Sequence, residues 1–369
     1  MADQDFLNDL MEFNPSDLSA FQEPEAKSKG NPNIYKTNPN QVSKDISEDG
    51  HYHSKIRIIY NPFDRKNSII NSASYSFTDA DGWFMVSSKL GLGDKSCKMF
   101  KAWKSLHFST DDSIVIEYKG QKMTRKQWGD TMFDKGEARF CLVQVIEDAN
   151  QPELVGKFLA MRLPKAIFDM LNAKMNPTDK SKAPQDLMNY LFGPILEMDV
   201  TPGPDDPQHP ERKQREIKYT LCEFESDPTP IIMVTGEPLF SEDEMESIMD
   251  YAEGKKVLSN PKSTAKKKDE AKKKCEALVP TIKDLMKKAL DYVSENAIDL
   301  VAEVGYKEPT PEQWARVDRW LDIVCNKFQD PATYVEGTIL RPNLPDTTPE
   351  VAQPEKTEEL ENNEDDLPF

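Results

Sequence analysis

Basic residues interleaved with aromatic ones are the main chemical signal in this chain. Lys95, Lys98, Lys101 and Lys104 recur every three residues with no acid among them, and Met99, Phe100 and Trp103 fall at helical i, i+1, i+4 spacing. On a helix this sets a lysine stripe beside an apolar stripe. An ordinary amphipathic helix with a solvated face has the same pattern, with Phe100 and Trp103 in a core. The theme repeats elsewhere. Tyr60, Phe63 and Arg65 cluster, and Tyr75, Phe77, Trp83 and Phe84 share one predicted hairpin. Arg125, Lys126 and Trp128 follow a second hairpin. Arg139 and Phe140 open an apolar strand, and Lys157, Phe158 and Arg162 lie on the next. Arg212, Lys213, Arg215 and Lys218 sit beside Tyr219. Phosphates attract mobile cations, and unstacked bases attract aromatic faces, at about 1–3 kcal/mol per base. Duplex bases cannot reach such faces, so the pattern favours single strands. The residues assigned to nucleic-acid contact are Tyr60, Arg65, Tyr75, Phe77, Trp83, Lys95, Lys98, Lys101, Trp103, Lys104, Arg125, Arg139, Phe140, Lys157, Arg162, Lys213, Arg215 and Lys218.

Other chemistry has little support. His51, His53, His107 and His209 form no His-Glu-x-x-His or similar constellation, and no phosphate loop or dinucleotide fingerprint is present. Gly91-Leu-Gly93 reads as a turn. His51, His53, Cys97 and His107 have tetrahedral-ligand chemistry but not the spacing of a zinc module. No enzyme activity, cofactor or metal is expected.

Charged residues make up 30% of 369 residues, and the net charge is −18. No apolar run reaches the length of a membrane span. The acidic start, Met-Ala-Asp-Gln-Asp, lacks a signal-peptide pattern, and the five scattered cysteines form no framework, so a cytoplasmic protein is expected. From Asp346 onward nine acids face one base, Lys356, giving −8 and leaving −10 for the rest. Local basic clusters within that remainder decide what a groove attracts.

These residues need elements to hold them. Residues 1–45 read as a disordered arm with one apolar patch, Phe6 to Phe13. Residues 46–240 read as a mainly β (α+β) core: strands at Lys55–Tyr60, Tyr75–Phe77, Trp83–Val86, Ser113–Tyr118, Gln121–Thr124, Arg139–Glu147 and Phe158–Leu163. A short helix to about Ala173 follows, then a long hairpin of Ile195–Val200 and Glu216–Glu225. Many short strands and long loops predict an OB-type barrel with insertions. Residues 241–335 read as a helical module. Ser241-Glu-Asp-Glu244 is a capping box starting a helix to about Glu253. A lysine-rich stretch, Lys262–Lys274, precedes helical patterning to Val304. Thr310-Pro-Glu-Gln313 starts a helix with Trp314, Val317, Leu321 and Val324 inward, ending near Phe328. Lys266–Lys268 and Lys272–Lys274 are either a nucleic-acid contact or a solvated helix face. Residues 336–369 read as a disordered acidic tail.

That tail ends in Asp365, Asp366, Leu367, Pro368 and Phe369, an acidic run closing on one ring and a carboxylate. A basic, apolar pocket on a partner fits such a tip; a plain solubilising tail is the alternative. The tip resembles that of bacterial single-stranded-DNA-binding proteins, which implies docking of replication, recombination or repair proteins. Residues 141–175 carry a second resemblance. Pro152, Glu153, Gly156, Lys157, Arg162, Ile167, Phe168, Asp169, Asn172 and Ala173 match a pattern in the helix-destabilising, single-stranded-DNA-binding proteins of T-even-type phages. The likeness spans about residues 50–255. It implies an OB-type barrel that coats single-stranded DNA without sequence preference in phage replication, recombination and repair. Arg139 and Phe140 fall where that family has a DNA-facing aromatic pair. Of the family's zinc ligands only Cys97 remains in the region, so no zinc is expected, and the basic arm is replaced by an acidic-apolar one. A protein-only replisome or recombination adaptor and a strand-annealing recombinase are the alternative readings.

Overall fold

The expected strands form, and most run longer than their sequence signals. The computed structural model describes residues 32–35, 51–179, 184–205, 213–222, 224 and 230–336. In chain order the strands are β1 (Ile34–Tyr35), β2 (Tyr52–Ile59), β3 (Ile69–Asp79), β4 (Gly82–Ser88), β5 (Val115–Tyr118), β6 (Gln121–Thr124), β7 (Asp134–Asp148), β8 (Phe158–Leu163), β9 (Ile195–Asp205) and β10 (Lys213–Cys222). The α-helices are α1 (Lys98–His107), α2 (Arg125–Met132), α3 (Lys165–Met175), α4 (Glu242–Ser259), α5 (Ala265–Asn296), α6 (Leu300–Val304) and α7 (Pro311–Asp322). The chain is α+β. No helix among the described residues is long and apolar enough to cross a membrane. The expected amphipathic patch at Phe6–Phe13, the acidic tail and its tip lie outside the described residues.

Two compact units divide the chain. The first comprises the described parts of 1–76, 85–100 and 135–310. Its mixed sheet runs β1-β8-β7-β2-β9-β10, with β3 added on β7 and β4 on β3. Among the described residues this pairing does not close into a ring. β1 runs parallel to β8; β7 runs antiparallel to β8 and β2. The central strands read as unbroken apolar runs because both faces are covered. Ile59, Leu142 and Ala160 pack into one cluster with Ile248, Ile282, Leu285 and Ala289 of α4 and α5. Their strand neighbours Ile58, Val143 and Leu159 point the other way, into a second cluster with Ile167 and Leu171 of α3.

This packing corrects the expected domain plan. Helices α4, α5 and α6 cover the sheet within the first unit, so residues 241–335 are not a module of their own. The capping box forms as expected: Ser241 Oγ accepts from the Glu244 amide and Glu244 accepts from the Ser241 amide. α4 continues past Glu253 to Ser259, with buried Gly254 lying against Cys275 of α5. The lysine-rich stretch and the patterning after it join as one helix of 32 residues, which carries Pro280 within it.

The second unit comprises Phe77–Phe84, Lys101–Asp134 and the described residues from Pro311. β5 and β6 meet through Lys119 and Gly120, both at positive φ (48° and 75°), as a tight two-residue hairpin requires. α2 was not foreseen, although Thr124-x-x-Gln127 spells its capping box, which forms. Phe77 stacks on Phe84 at 4.9 Å and meets Trp320 edge-on at 4.9 Å. Buried Trp128 donates through Nε1 to the Val324 carbonyl at 3.1 Å. All five tryptophans (Trp83, Trp103, Trp128, Trp314 and Trp320) belong to this unit, so tryptophan emission reports on it alone.

Arg316 clamps the start of the β3–β4 hairpin. It donates to both carboxylate oxygens of buried Asp79, at 2.7 and 2.6 Å, and to the Gly82 carbonyl. These hydrogen bonds, joined by the Asp81 amide, hold the Asp79 pKa below its ordinary value. A depressed carboxylate stabilises the fold fully above the ordinary range near 3.9 and loses that contribution as pH falls through the folded value. D79N is therefore expected to cost about 1.5–3 kcal/mol at pH 7. Followed by tryptophan emission in urea, its midpoint should converge with that of the parent chain as pH falls below the ordinary carboxylate range. Parallel pH profiles for the two proteins would exclude this assignment.

Candidate nucleic-acid interface

At one end of the β7–β8 ladder a cleft of about 1080 Å³ opens within the first unit. That volume is at the upper end of the range for small-molecule pockets. Arg139 pairs across the ladder with Leu163, and Phe140 with Arg162. Phe140 and Arg162 therefore share one face, and Arg139 points to the other. There its guanidinium lies over the Phe168 ring of α3 at 4.1 Å, which orders the side chain while leaving it exposed. Lys95 enters from the loop after β4. That loop lies against β3 because Gly91 has no side chain: a Cβ there would stand 2.5 Å from the Asn71 carbonyl oxygen. Gly93 turns at φ 84°, so Gly91-Leu-Gly93 is the turn its composition suggested.

Cations dominate the lining. Lys95, Arg139, Arg162 and Lys165 line it with one acid, Glu137, and Lys165 also pairs with Asp169 of α3 at 2.5 Å. Phe140 and Tyr219 supply rings; burial raises the Tyr219 pKa, so its hydroxyl stays neutral. Pro164 and Lys165 place the start of α3 in the lining. No side chain caps that terminus, and no acid sits in its first turn. Its first amide groups therefore remain donors for an anion. Cations, amide donors and flat rings together suit a phosphodiester chain with unpaired bases.

The structure gathers Lys95, Arg139, Phe140 and Arg162 from the expected set. Lys165 and Tyr219 join them without having been assigned, although both stand in the basic-aromatic stretches of the sequence. Other expected residues lie elsewhere. Tyr75 is fully buried and Phe77 is 1% exposed, so neither offers a face to a base; both are core rings of the β3 pleat. Lys218 is exposed, but it lies between the cleft residues Ile217 and Tyr219 and alternation turns it away. Lys213 and Arg215 lie in β10, and their side chains are outside the described set. Arg65 stacks on Tyr60 at 4.2 Å, away from the cleft lining, with Phe63 beside them 52% exposed. Lys157 is exposed at the β7–β8 turn, and Lys98 is exposed on α1.

In the second unit Lys101 and Lys104 flank half-buried Trp103. Trp103 lies 4.5 Å from the His107 ring and 5.6 Å from Phe108, which is 66% exposed. Trp83 is also exposed, whereas half-buried Arg125 lies 5.7 Å over the Phe328 ring. Two of the histidines weighed as ligands lie against acids: His53 Nδ1 is 2.6 Å from Asp199 and His107 Nδ1 2.9 Å from Asp130. Among the described residues no cluster of three or more His, Cys, Asp or Glu is arranged to hold a metal ion. Comparison with models of known protein families and with curated proteins gave no match.

Proposed function

We propose that this chain coats single-stranded DNA without sequence preference, and that the cleft of the first unit holds the strand. The observation that carries the reading is the convergence of Lys95, Arg139, Arg162 and Lys165 beside Phe140 and Tyr219 in a chain of net charge −18. The cations neutralise phosphates and release counterions, so affinity falls as salt rises. The rings take unpaired bases. No bond is made or broken. The finer fold reading is an opened OB-type sheet carrying insertions, related to the helix-destabilising proteins of T-even-type phages. The acidic tip, Asp365 to Phe369, then recruits replication, recombination or repair proteins.

Anisotropy of labelled oligo-dT and of a matched duplex tests this. The label must be on the DNA, because tryptophan emission does not arise in the unit that holds the cleft. Preference for oligo-dT is expected. F140A should weaken oligo-dT binding by about 1–3 kcal/mol through loss of one stacking face. A chain that binds neither probe acts as a protein-only adaptor, and this reading fails.

A further inference from the structure

We propose that the tip of the α4–α5 helical hairpin is a second nucleic-acid surface, one that holds the phosphate backbone of a duplex. This extends the nucleic-acid reading above to a site with different chemistry. The two helices approach closely because Gly254 lies against α5: a Cβ there would stand 2.4 Å from Cys275 Sγ. Lys255 and Lys256 on α4 therefore sit at the level of Lys272 and Lys273 on α5. Residues 255–274 hold nine lysines against two acids, Asp269 and Glu270, for a net charge of +7. The opposite end of α4 begins with Glu242, Asp243 and Glu244, so charge is polarised along the hairpin.

Most of these lysines are unneutralised. Lys274 pairs with Asp250 at 2.8 Å, and Lys272 lies 4.0 Å from Glu276. Among the described residues no acid pairs with Lys256, Lys262, Lys266, Lys267, Lys268 or Lys273. All but Lys268 are exposed, and Lys268 is half-buried. Burial of Cys275, Ile282 and Leu285 on the facing side fixes which side of α5 the lysines present. Like charges this dense repel one another, and a polyanion relieves that repulsion.

The chemistry of the partner follows from what is missing. No aromatic residue occurs between Lys255 and Pro280, so the tip has no platform for a base. It reads phosphates only, and a duplex presents them more densely than a single strand. The cleft selects unpaired bases, and the tip accepts backbone in any form. One protein can thereby hold a single strand and a neighbouring duplex.

The test uses the full chain carrying K266Q/K267Q/K268Q/K273Q, since glutamine retains helix propensity. Binding of a labelled blunt duplex is measured across a potassium chloride series, with melting followed by circular dichroism to verify the fold. Duplex affinity is expected to fall at least tenfold at about 50 mM salt, and the salt slope to become shallower by about 3.6 at about 0.9 per contact. Unchanged duplex affinity and slope would overturn the proposal, as would a parent chain that does not bind duplex at low salt. A variant that keeps its nucleic-acid binding but loses affinity for a peptide of residues 346–369 would assign the tip to the chain's own tail, and also overturns it. Failure of the cleft reading has a different signature: unchanged oligo-dT binding by R139A/R162A.

Discussion

R139A/R162A is expected to lower oligo-dT affinity about a hundredfold. On the proposed reading each guanidinium donates charge-assisted hydrogen bonds to a phosphate, and the pair together is worth about 3 kcal/mol at roughly 1.4 kcal/mol per tenfold. Both side chains are exposed, and urea melting of the variant measures separately what loss of the Arg139–Phe168 stack costs the fold. The logarithmic salt slope should become shallower by about 1.4, since each single-strand phosphate contact contributes about 0.7. Lysine substitutions at the same positions should restore most of the slope and less of the affinity, because lysine keeps the charge but loses the fork. An unchanged slope would place the strand elsewhere, with the Trp103 patch of the second unit the next surface to test.

The second large effect concerns stability. Trp320 is 1% exposed and packs between Phe77 at 4.9 Å and Phe133 at 5.2 Å, while its Nε1 donates to the Thr78 carbonyl at 2.9 Å. Trp320→Ala removes a buried aromatic ring from that cluster and the donor to the Thr78 carbonyl. A loss of about 3–5 kcal/mol is expected in the second unit. The four remaining tryptophans lie in the same unit, so emission in urea measures its midpoint directly. A midpoint equal to the parent chain's would show that the cluster does not hold that unit together.

Much of the local structure was legible from the sequence. Lys119-Gly120 marked its hairpin because only a few residues tolerate positive φ, and Ser241-Glu-Asp-Glu244 marked a helix start because its side chains satisfy free amides. Pro311 opens α7, a π-helical turn over Ile323–Lys327 continues it, and Phe328 ends the run in a left-handed conformation at φ 51°. These are local bonds between residues a few positions apart, and the chain alone specifies them. The aromatic-cation pattern also contained most of the cleft: Lys95, Arg139, Phe140 and Arg162 were assigned from it.

Exposure was decided by tertiary structure. Phe140 and Phe77 look alike in sequence, each an aromatic residue in a predicted strand among basic or polar neighbours. Phe77 is sealed by Trp320 and Phe133, over 50 residues away in the chain, whereas Phe140, half-buried near the end of the β7–β8 ladder, lines the cleft. Helices α4 and α5 read as a separate module because their amphipathic faces do not name a partner. The sheet supplied it, and with it the lysines of α5 were turned outward. Alternation and capping act within one element and are determined by the sequence itself; which ring meets solvent depends on what packs above it, and only the folded chain settles that.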